Sequence, residues 1–250
     1  MSSPLAIELK SVTKTFASTV AVDRLSLSFP EGSFVGLLGR NGAGKSTTLK
    51  LLTGLIAPTS GEVRLLGIDM AKDPMSIKRQ IGTMPEDMGL LDQLTRDQFL
   101  HFVGRMRGMD EGTILERGKE LFDKLDLHPD PKTLIADFSF GMKKKLALST
   151  ALLHGPKVLF LDEPFEGIDP VTSRTIKEIL LGLQQRGVTL VLTSHILEVV
   201  EKLCPIIAIL DHGSLKGFGR LEELRAESES LESYFVGLVG GVKAGELSWL

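Results

Sequence analysis

The sequence predicts an α/β fold in which a parallel sheet carries an antiparallel β subdomain and an inserted α-helical subdomain. Three observations predict it: strand-like alternation fills the first forty residues, helical periods occupy residues 95–155, and β–α–β alternation follows Gly155. With 250 residues and 42% hydrophobic content, the chain has enough apolar side chains to bury a core of ordinary size. Disorder is therefore not expected.

The N-terminal elements are predicted as hairpins beside a Gly-rich loop. Apolar residues alternate at 7–9 and 25–29, and Pro30-Glu31-Gly32 is typical of a turn. Further strands are predicted at 34–38, 62–66 and 81–85.

The middle of the chain changes to helical periods. Thr95 and Gln98 have the spacing of a capping box, apolar residues then recur to Met106, and a second helix is predicted at 115–125. Beyond Gly155, strands at 158–161, 188–193 and 206–210 alternate with helices at 171–185 and 197–203.

We predict one domain over residues 5–220, with a helical subdomain at about 87–155. A helical, flexible tail is predicted over 221–250, and its last ten residues are expected to be poorly ordered.

Composition excludes several classes of protein. Cys204 is the single cysteine, which rules out an internal disulfide and a cysteine metal site and fits a reducing cytosol. A net charge of −3 and a pI near 6.0 give no overall attraction to nucleic acid. We expect neither a signal peptide nor a membrane span, so a role at a membrane would be peripheral. The basic cluster Lys143–Lys145 is interpreted as the solvated side of a helix.

The Gly-rich loop gives the strongest functional signal. Residues 39–46 read Gly-Arg-Asn-Gly-Ala-Gly-Lys-Ser and match the pattern G-x-x-x-x-G-K-S/T between a strand and a helix. The glycines let backbone N–H groups face one anion at a helix N-terminus, Lys45 reaches the outer phosphates, and Ser46 can bind Mg²⁺. The predicted nucleoside triphosphate site consists of Gly39, Arg40, Asn41, Gly42, Ala43, Gly44, Lys45, Ser46 and Thr47.

Two adjacent carboxylates give a second signal. The apolar strand at 158–161 ends in Asp162 and Glu163, and the carboxyl edge of a parallel sheet is where ligands bind. Asp162 suits a Mg²⁺ ligand, and Glu163 can accept a proton from an attacking water. Taken alone the pair is more typical of an acidic turn, but beside the loop at Lys45 that alternative is minor.

The order of these motifs resembles that of ATP-binding-cassette (ABC) ATPases, the nucleotide-binding subunits of membrane transporters, over about residues 5–220. Phe16 stands where that family has an aromatic that stacks on adenine, and Phe-Ser-Phe-Gly-Met at 138–142 stands where it has the L-S-G-G-Q signature. Glu166-Gly-Ile-Asp resembles the D-loop, and His195 in Thr-Ser-His matches the switch histidine. The resemblance implies a P-loop NTPase (RecA-like) fold that binds ATP and Mg²⁺.

The same resemblance implies a role for each residue. Implied catalytic residues are Glu163, His195 and Lys45, and implied Mg²⁺ ligands are Ser46, Glu86 and Asp162. The implied signature residues, which act on the nucleotide of a second subunit in a head-to-tail dimer, are Ser139, Phe140, Gly141 and Met142. Two alternatives stay open: Phe16 is equally a core aromatic, and Ser139 an ordinary helix N-cap. Asp169 can serve both as the D-loop acid and as an N-cap before Pro170.

Two residues depart from the family's motifs and indicate a narrower subfamily. Glu86 replaces the family's Q-loop glutamine, and Phe140 replaces the first signature glycine. A carboxylate at position 86 can still bind Mg²⁺ or water, but it adds negative charge near the phosphates. With the Gly-Met-Lys signature ending and Leu231-Glu-Ser-Tyr-Phe in the tail, these features resemble the subfamily that serves ABC-2-type export permeases.

The function that this resemblance implies is that of an ATPase subunit of an exporter, peripheral on the cytoplasmic face of the membrane. Its implied partners are a separate permease chain and a second ATPase subunit, with no nucleic acid. The apolar segment 88–94 is a candidate permease groove, and internal packing of its leucines is an equal alternative. Rival interpretations are a soluble ABC ATPase acting on nucleic acid, the ribosome or cofactor assembly, and a small-molecule kinase or GTPase. The kinase or GTPase leaves 138–142 and His195 unexplained.

Overall fold

The computed structural model describes residues 4–226, 228 and 230–240, and within them it contains two sheets. The strands are β1 (Leu5–Phe16), β2 (Thr19–Pro30), β3 (Phe34–Leu38), β4 (Ser60–Leu65), β5 (Ile68–Asp69), β6 (Ile81–Met84), β7 (Val158–Asp162), β8 (Thr189–Ser194), β9 (Ile206–Asp211) and β10 (Ser214–Arg220). The α-helices are α1 (Lys45–Leu52), α2 (Pro74–Gln80), α3 (Arg96–Met106), α4 (Glu111–Lys124), α5 (Phe140–Leu152), α6 (Pro170–Gln185), α7 (Leu197–Leu203), α8 (Leu221–Ala226) and α9 (Leu231–Val239).

The larger sheet has the strand order β10-β9-β3-β8-β7-β6. All strands from β9 to β6 run parallel, and β10 is antiparallel to β9. Every residue of β3, β7 and β8 is buried, as expected for central strands covered on both faces. The predicted parallel sheet is confirmed, and the loops that follow β3, β8, β7 and β6 open side by side on its carboxyl edge.

The smaller sheet is antiparallel, with the order β2-β1-β4-β5. Leu25, Leu27 and Phe29 are buried, while the residues between them are exposed, which confirms the alternation predicted for this hairpin. These side chains belong to one apolar cluster with Val35 and Leu37 of β3. The antiparallel subdomain is therefore fixed against the central strand that leads into the Gly-rich loop.

Helices α3, α4 and α5 form the predicted helical insert around an apolar cluster of their own. The capping box at the start of α3 is confirmed, because the Thr95 N–H donates to Gln98 Oε1 at 2.9 Å and the Gln98 N–H donates to Thr95 Oγ1 at 3.4 Å. Phe99, Leu100 and Phe122 are buried in the cluster.

After β10, the chain folds back onto the sheet through α8 and α9. Leu221, Leu224 and Leu231 are buried in the cluster that also holds Val200 of α7. The last ten residues of the predicted tail lie outside the described residues, and the boundaries at 5–220, 87–155 and 221–250 stay predictions.

His154, shortly after α5, is neutral at neutral pH. His154 Nε2 lies 2.9 Å from the carbonyl oxygen of Ile81, and its Nδ1 is buried with no hydrogen-bond partner within the described part of the chain. Burial first, and then the charge of Arg107, lower the pKa of His154 to about 4. Protonation of His154 is therefore easier in the unfolded chain than in the folded one.

We expect this histidine to make the protein less stable in acid. Since the folded pKa lies below the unfolded value near 6.5, the stabilisation is complete above about pH 6.5 and is lost as the pH falls toward about 4. The free energy of unfolding in urea, measured between about pH 7.5 and pH 5, should fall more steeply for the wild type than for His154→Gln. Equal slopes for the two proteins would contradict this assignment.

Candidate active site

The Gly-rich loop at 39–46 joins β3, in the middle of the larger sheet, to α1. Gly44 is the N-cap of α1 with a φ of 100°, and a Cβ on it would lie 2.6 Å from the carbonyl oxygen of Ala21. Both the backbone angle and this close approach require glycine. The Ala43 N–H donates to the carbonyl of Arg40 at 3.0 Å, so the loop is a closed turn that brings the start of α1 to the carboxyl edge.

Lys45 is enclosed by this loop. Its side chain is buried, and Nζ donates to the carbonyl oxygens of Gly39 at 2.8 Å and Arg40 at 3.4 Å. Ser46 and Thr47 are half-buried at the start of α1, whereas Arg40, Asn41 and Gly42 are exposed. The loop thus combines a held ammonium group, a hydroxyl and open backbone N–H groups, which together suit a polyphosphate.

The predicted acid pair ends β7, two strands away from β3. Asp162 lies opposite Thr193 of β8, and Thr193 Oγ1 donates to Asp162 Oδ1 at 2.5 Å. The same hydroxyl accepts the Glu163 N–H at 3.0 Å. Both carboxyl residues are buried, so β8 fixes their position from one side.

Glu163 and His195 meet at this edge. Glu163 Oε2 lies 3.0 Å from His195 Nδ1 and 3.4 Å from the His195 backbone nitrogen. The backbone of Glu163 has a φ of 46°, in the left-handed region that a residue with a Cβ rarely adopts. The structure therefore brings together Glu163, the predicted general base, and His195, which sequence analysis had placed after separate strands, and it holds Glu163 in a strained conformation.

The interpretation of Lys143–Lys145 as a solvated helix side is wrong for Lys144. Its side chain is buried, and its Nζ donates to the carbonyl oxygen of Glu163. Burial lowers the pKa of Lys144, while the neighbouring carboxylates of Glu166 and Glu163 act in the opposite direction. Helical spacing could have revealed this, since Lys144 shares a helix face with the buried Leu148 and Ala151, four and seven residues later.

The signature segment lies at the start of α5. Ser139 is the N-cap of this helix, and its Oγ accepts the Met142 N–H at 3.2 Å, so the N-cap interpretation is confirmed. Ser139 and Phe140 are exposed, whereas Gly141 and Met142 are half-buried. The N-terminal end of α5 is thus open to solvent, as a surface that binds a second molecule must be.

Three further predicted site residues lie at the surface. Asp169 is the N-cap of α6, where its carboxylate accepts N–H groups from Val171 at 3.0 Å and Thr172 at 2.9 Å. Phe16, at the end of β1, is 47% exposed, which argues against the core-aromatic interpretation. Glu86 is exposed two residues after β6, on the same sheet edge as the acid pair.

The donor set suits Mg²⁺ by its chemistry. Ser46 offers a hydroxyl, and Asp162 and Glu86 offer carboxylates, the hard oxygen ligands that this ion takes. No group of three or more His, Cys, Asp or Glu side chains in the described residues could hold a metal alone. Mg²⁺ is usually bound through one or two carboxylates together with substrate phosphates, so these residues fit an ion that arrives with a nucleotide.

Comparisons with known proteins agree with this geometry. The ABC transporter family profile matches residues 22–166. The chain is 35% identical over 218 residues to the linearmycin resistance ATP-binding protein LnrL of Bacillus subtilis (strain 168), covering 87% of this chain and 70% of that protein. It is 32% identical over 231 residues to the bacitracin transport ATP-binding protein BcrA of Enterococcus faecalis, covering 92% and 74%.

Solved structures share the fold. An ATP-binding subunit of an ABC transporter superposes with a TM-score of 0.87 at 30% identity, covering 93% of this chain and 99% of that one. A dimeric, post-hydrolysis ATP-binding cassette bound to ADP and Pi superposes with a TM-score of 0.80 at 25% identity, covering 86% and 98%. The predicted P-loop NTPase fold is confirmed, and the chain belongs to the ABC transporter family as an ATP-binding, ATP-hydrolysing cassette.

Proposed function

We propose that this chain is the ATPase subunit of a membrane exporter and that a separate permease chain carries the substrate. The observation that carries this proposal is the Glu163–His195 pair, which lies at the same sheet edge as the phosphate-binding loop. Relatives named for antibiotic resistance and bacitracin transport support the export role. The sequence features shared with the subfamily that serves ABC-2-type permeases also support an export role.

In this proposal the loop at 39–46 binds the triphosphate of ATP. Backbone N–H groups and the positive end of α1 face the phosphates, Lys45 neutralises the outer ones, and Phe16 stacks on the adenine. Ser46, Asp162 and Glu86 would hold Mg²⁺, which neutralises charge that develops on the phosphate oxygens.

Glu163 is the general base for hydrolysis. Since a carboxylate only accepts hydrogen bonds, Glu163 Oε2 accepts from His195, and Oε1 is the oxygen that takes the proton of the attacking water. His195 holds the carboxylate on one side and presents its other ring nitrogen to the water or the γ-phosphate. This arrangement supports direct attack by water on the phosphorus atom.

A second cassette completes the site. Ser139, Phe140, Gly141 and Met142 at the open end of α5 act on the ATP held by the other subunit, where the helix dipole favours the γ-phosphate. Asp169 links the two sites. Each ATP is thus enclosed only when two subunits close head to tail, and hydrolysis reopens them.

The permease docks on the helical insert. A groove of about 690 Å³ is lined by Leu94, Phe102 and Leu115 with a rim of charged side chains. Phe102 is 46% and Leu115 62% exposed. In the predicted segment 88–94, Leu91 is 41% exposed, whereas Leu90 and Leu94 are partly buried against the apolar cluster of the insert. We assign this groove to a cytoplasmic segment of the permease with apolar residues on one face.

We expect a charged side chain in this groove to weaken the complex with the permease. Leu115→Asp should reduce copurification of a polytopic membrane protein by about tenfold, because a carboxylate would be buried in an apolar contact. ATP hydrolysis by the isolated chain should not change. Met75→Asp, at a residue 60% exposed on α2, is the matched control and should retain the partner.

The same affinity purification from solubilised membranes tests the function. Recovery of a polytopic membrane protein is the expected result and would also support a location on the cytoplasmic face of the membrane. None of the helices in the described ranges is long and apolar enough to cross a bilayer. Recovery of RNA or a soluble scaffold instead would favour the soluble ABC ATPase.

A further inference from the structure

Among the residues that the structure describes, Lys144 is a buried lysine near the acid pair that the proposed mechanism leaves without a role. Its side chain is 3% exposed, and its Nζ donates to the carbonyl oxygen of Glu163 at 2.5 Å. It belongs to α5, the helix whose N-terminal end carries the signature residues. One side chain therefore connects the signature helix to the backbone of Glu163.

The peptide groups of Glu163 are held from two directions. Thr193 of β8 accepts its N–H at 3.0 Å, and Lys144 of α5 donates to its carbonyl oxygen, which also accepts the Glu166 N–H at 3.3 Å. These hydrogen bonds matter because the φ of 46° at Glu163 is disfavoured for a residue with a Cβ. The surrounding contacts, rather than local preference, keep the carboxylate directed at His195.

Phe140 covers the Lys144 ammonium group from the signature side. The Nζ atom lies 5.2 Å from the centroid of the Phe140 ring, within cation–π range. The same ring packs on Gly167, where a Cβ would come within 2.7 Å of Phe140 Cε1. Phe140, which departs from the signature glycine, thus closes a contact between α5 and the loop after Glu163.

We propose that Lys144 is a positioning residue for ATP hydrolysis, which fixes the Glu163 carboxylate against His195 and makes its direction depend on the placement of the signature helix. This inference rests on the proposed function, since it assigns Glu163 as the base and α5 as the helix that meets the second ATP. Movement of α5 when that ATP binds would reach Glu163 through the Lys144 hydrogen bond. Lys144 would act through the Glu163 backbone, to which its Nζ donates, and not on the reacting atoms.

The test compares Lys144→Met and Lys144→Arg with a control on the same helix. Lys145 is the control, because its Nζ also donates to a main-chain carbonyl, that of Asp126 at 3.1 Å, and Asp126 likewise has a positive φ of 48°. Lys145→Met removes the same kind of hydrogen bond away from the acid pair. Steady-state ATP hydrolysis gives kcat and KM, equilibrium dialysis with labelled ATP gives Kd, and thermal unfolding reports folding.

We expect Lys144→Met to lower kcat by about tenfold or more while Kd for ATP changes by less than about threefold. Lys144→Arg keeps a cationic donor and should recover most of kcat, and Lys145→Met should match the wild type. A wild-type kcat in Lys144→Met, an equal loss in Lys145→Met, or a parallel loss of kcat and ATP binding would overturn the inference. The parallel loss would indicate a structural role only.

Two further outcomes are decisive. If Lys144→Met does not fold, Lys144→Leu replaces it, and a kcat for the Leu variant equal to that of Lys144→Arg would overturn the inference, because the hydrogen-bond donor would not matter. A wild-type chain without ATP hydrolysis would overturn the proposed function and this inference with it. An active wild type with an equally active Lys144→Met variant would overturn this inference alone.

Discussion

Glu163→Gln is expected to bind ATP normally and to hydrolyse it about 10²- to 10⁴-fold more slowly than the wild type. The amide keeps the size of the side chain but cannot accept a proton from water at neutral pH. The loop at 39–46 follows β3, whereas Glu163 follows β7, so the loop should remain unchanged. Since hydrolysis reopens the two subunits in the proposed cycle, the variant should accumulate as a nucleotide-bound dimer.

Size-exclusion chromatography with ATP, combined with phosphate release, measures both effects. Glu198→Gln is a suitable control because it makes the same change at an exposed position on α7, three residues after His195. Wild-type turnover in Glu163→Gln would remove Glu163 from the role of base. A variant that neither binds ATP nor dimerises would show that the carboxylate has a binding role instead.

Lys45→Ala is expected to weaken ATP binding by about a hundredfold or more, because a buried charged hydrogen-bond donor to phosphate is lost. The lysine is already enclosed by the loop, where its Nζ lies 2.8 Å from the carbonyl of Gly39. It therefore loses little side-chain entropy when it binds a phosphate. Its removal should also abolish hydrolysis at ordinary ATP concentrations.

Equilibrium dialysis with labelled ATP measures this loss directly. Lys50→Ala is the matched control, since Lys50 lies on the same helix α1 but is exposed in its last turn. The control should bind like the wild type. Unchanged affinity in Lys45→Ala would contradict the assignment of the loop as the triphosphate site.

Much of the fold was predictable because its signals are local. Predominantly apolar runs predicted β3, β7 and β8, and the loop at 39–46 forms from consecutive residues. Three elements were missed, of which β5 has only two residues. Helix α2 is short, although Asp73 before Pro74 gives the N-cap and first-position signature, and β10 contains Gly217 and Gly219, which weaken its strand pattern.

The candidate site was predictable as a set of loops but not as a set of contacts. That Glu163 meets His195 depends on the register of β7 and β8, which sets Asp162 opposite Thr193. The burial of Lys144 depends on how α5 packs on the sheet, so a run of three lysines gave a misleading impression of a solvated surface. Tertiary packing determines both, and the spacing of residues along the chain does not specify it.

The left-handed backbone conformation of Glu163 lowers the stability of the fold at the position that we propose for the general base. Glycine would adopt this φ freely, whereas a residue with a Cβ costs about 1–3 kcal/mol there. The chain thus tolerates backbone strain at a buried position, and the glycine that would relax it would also remove the carboxylate that we propose as the base. Selection for stability would favour glycine at position 163, whereas selection for ATP hydrolysis would favour glutamate.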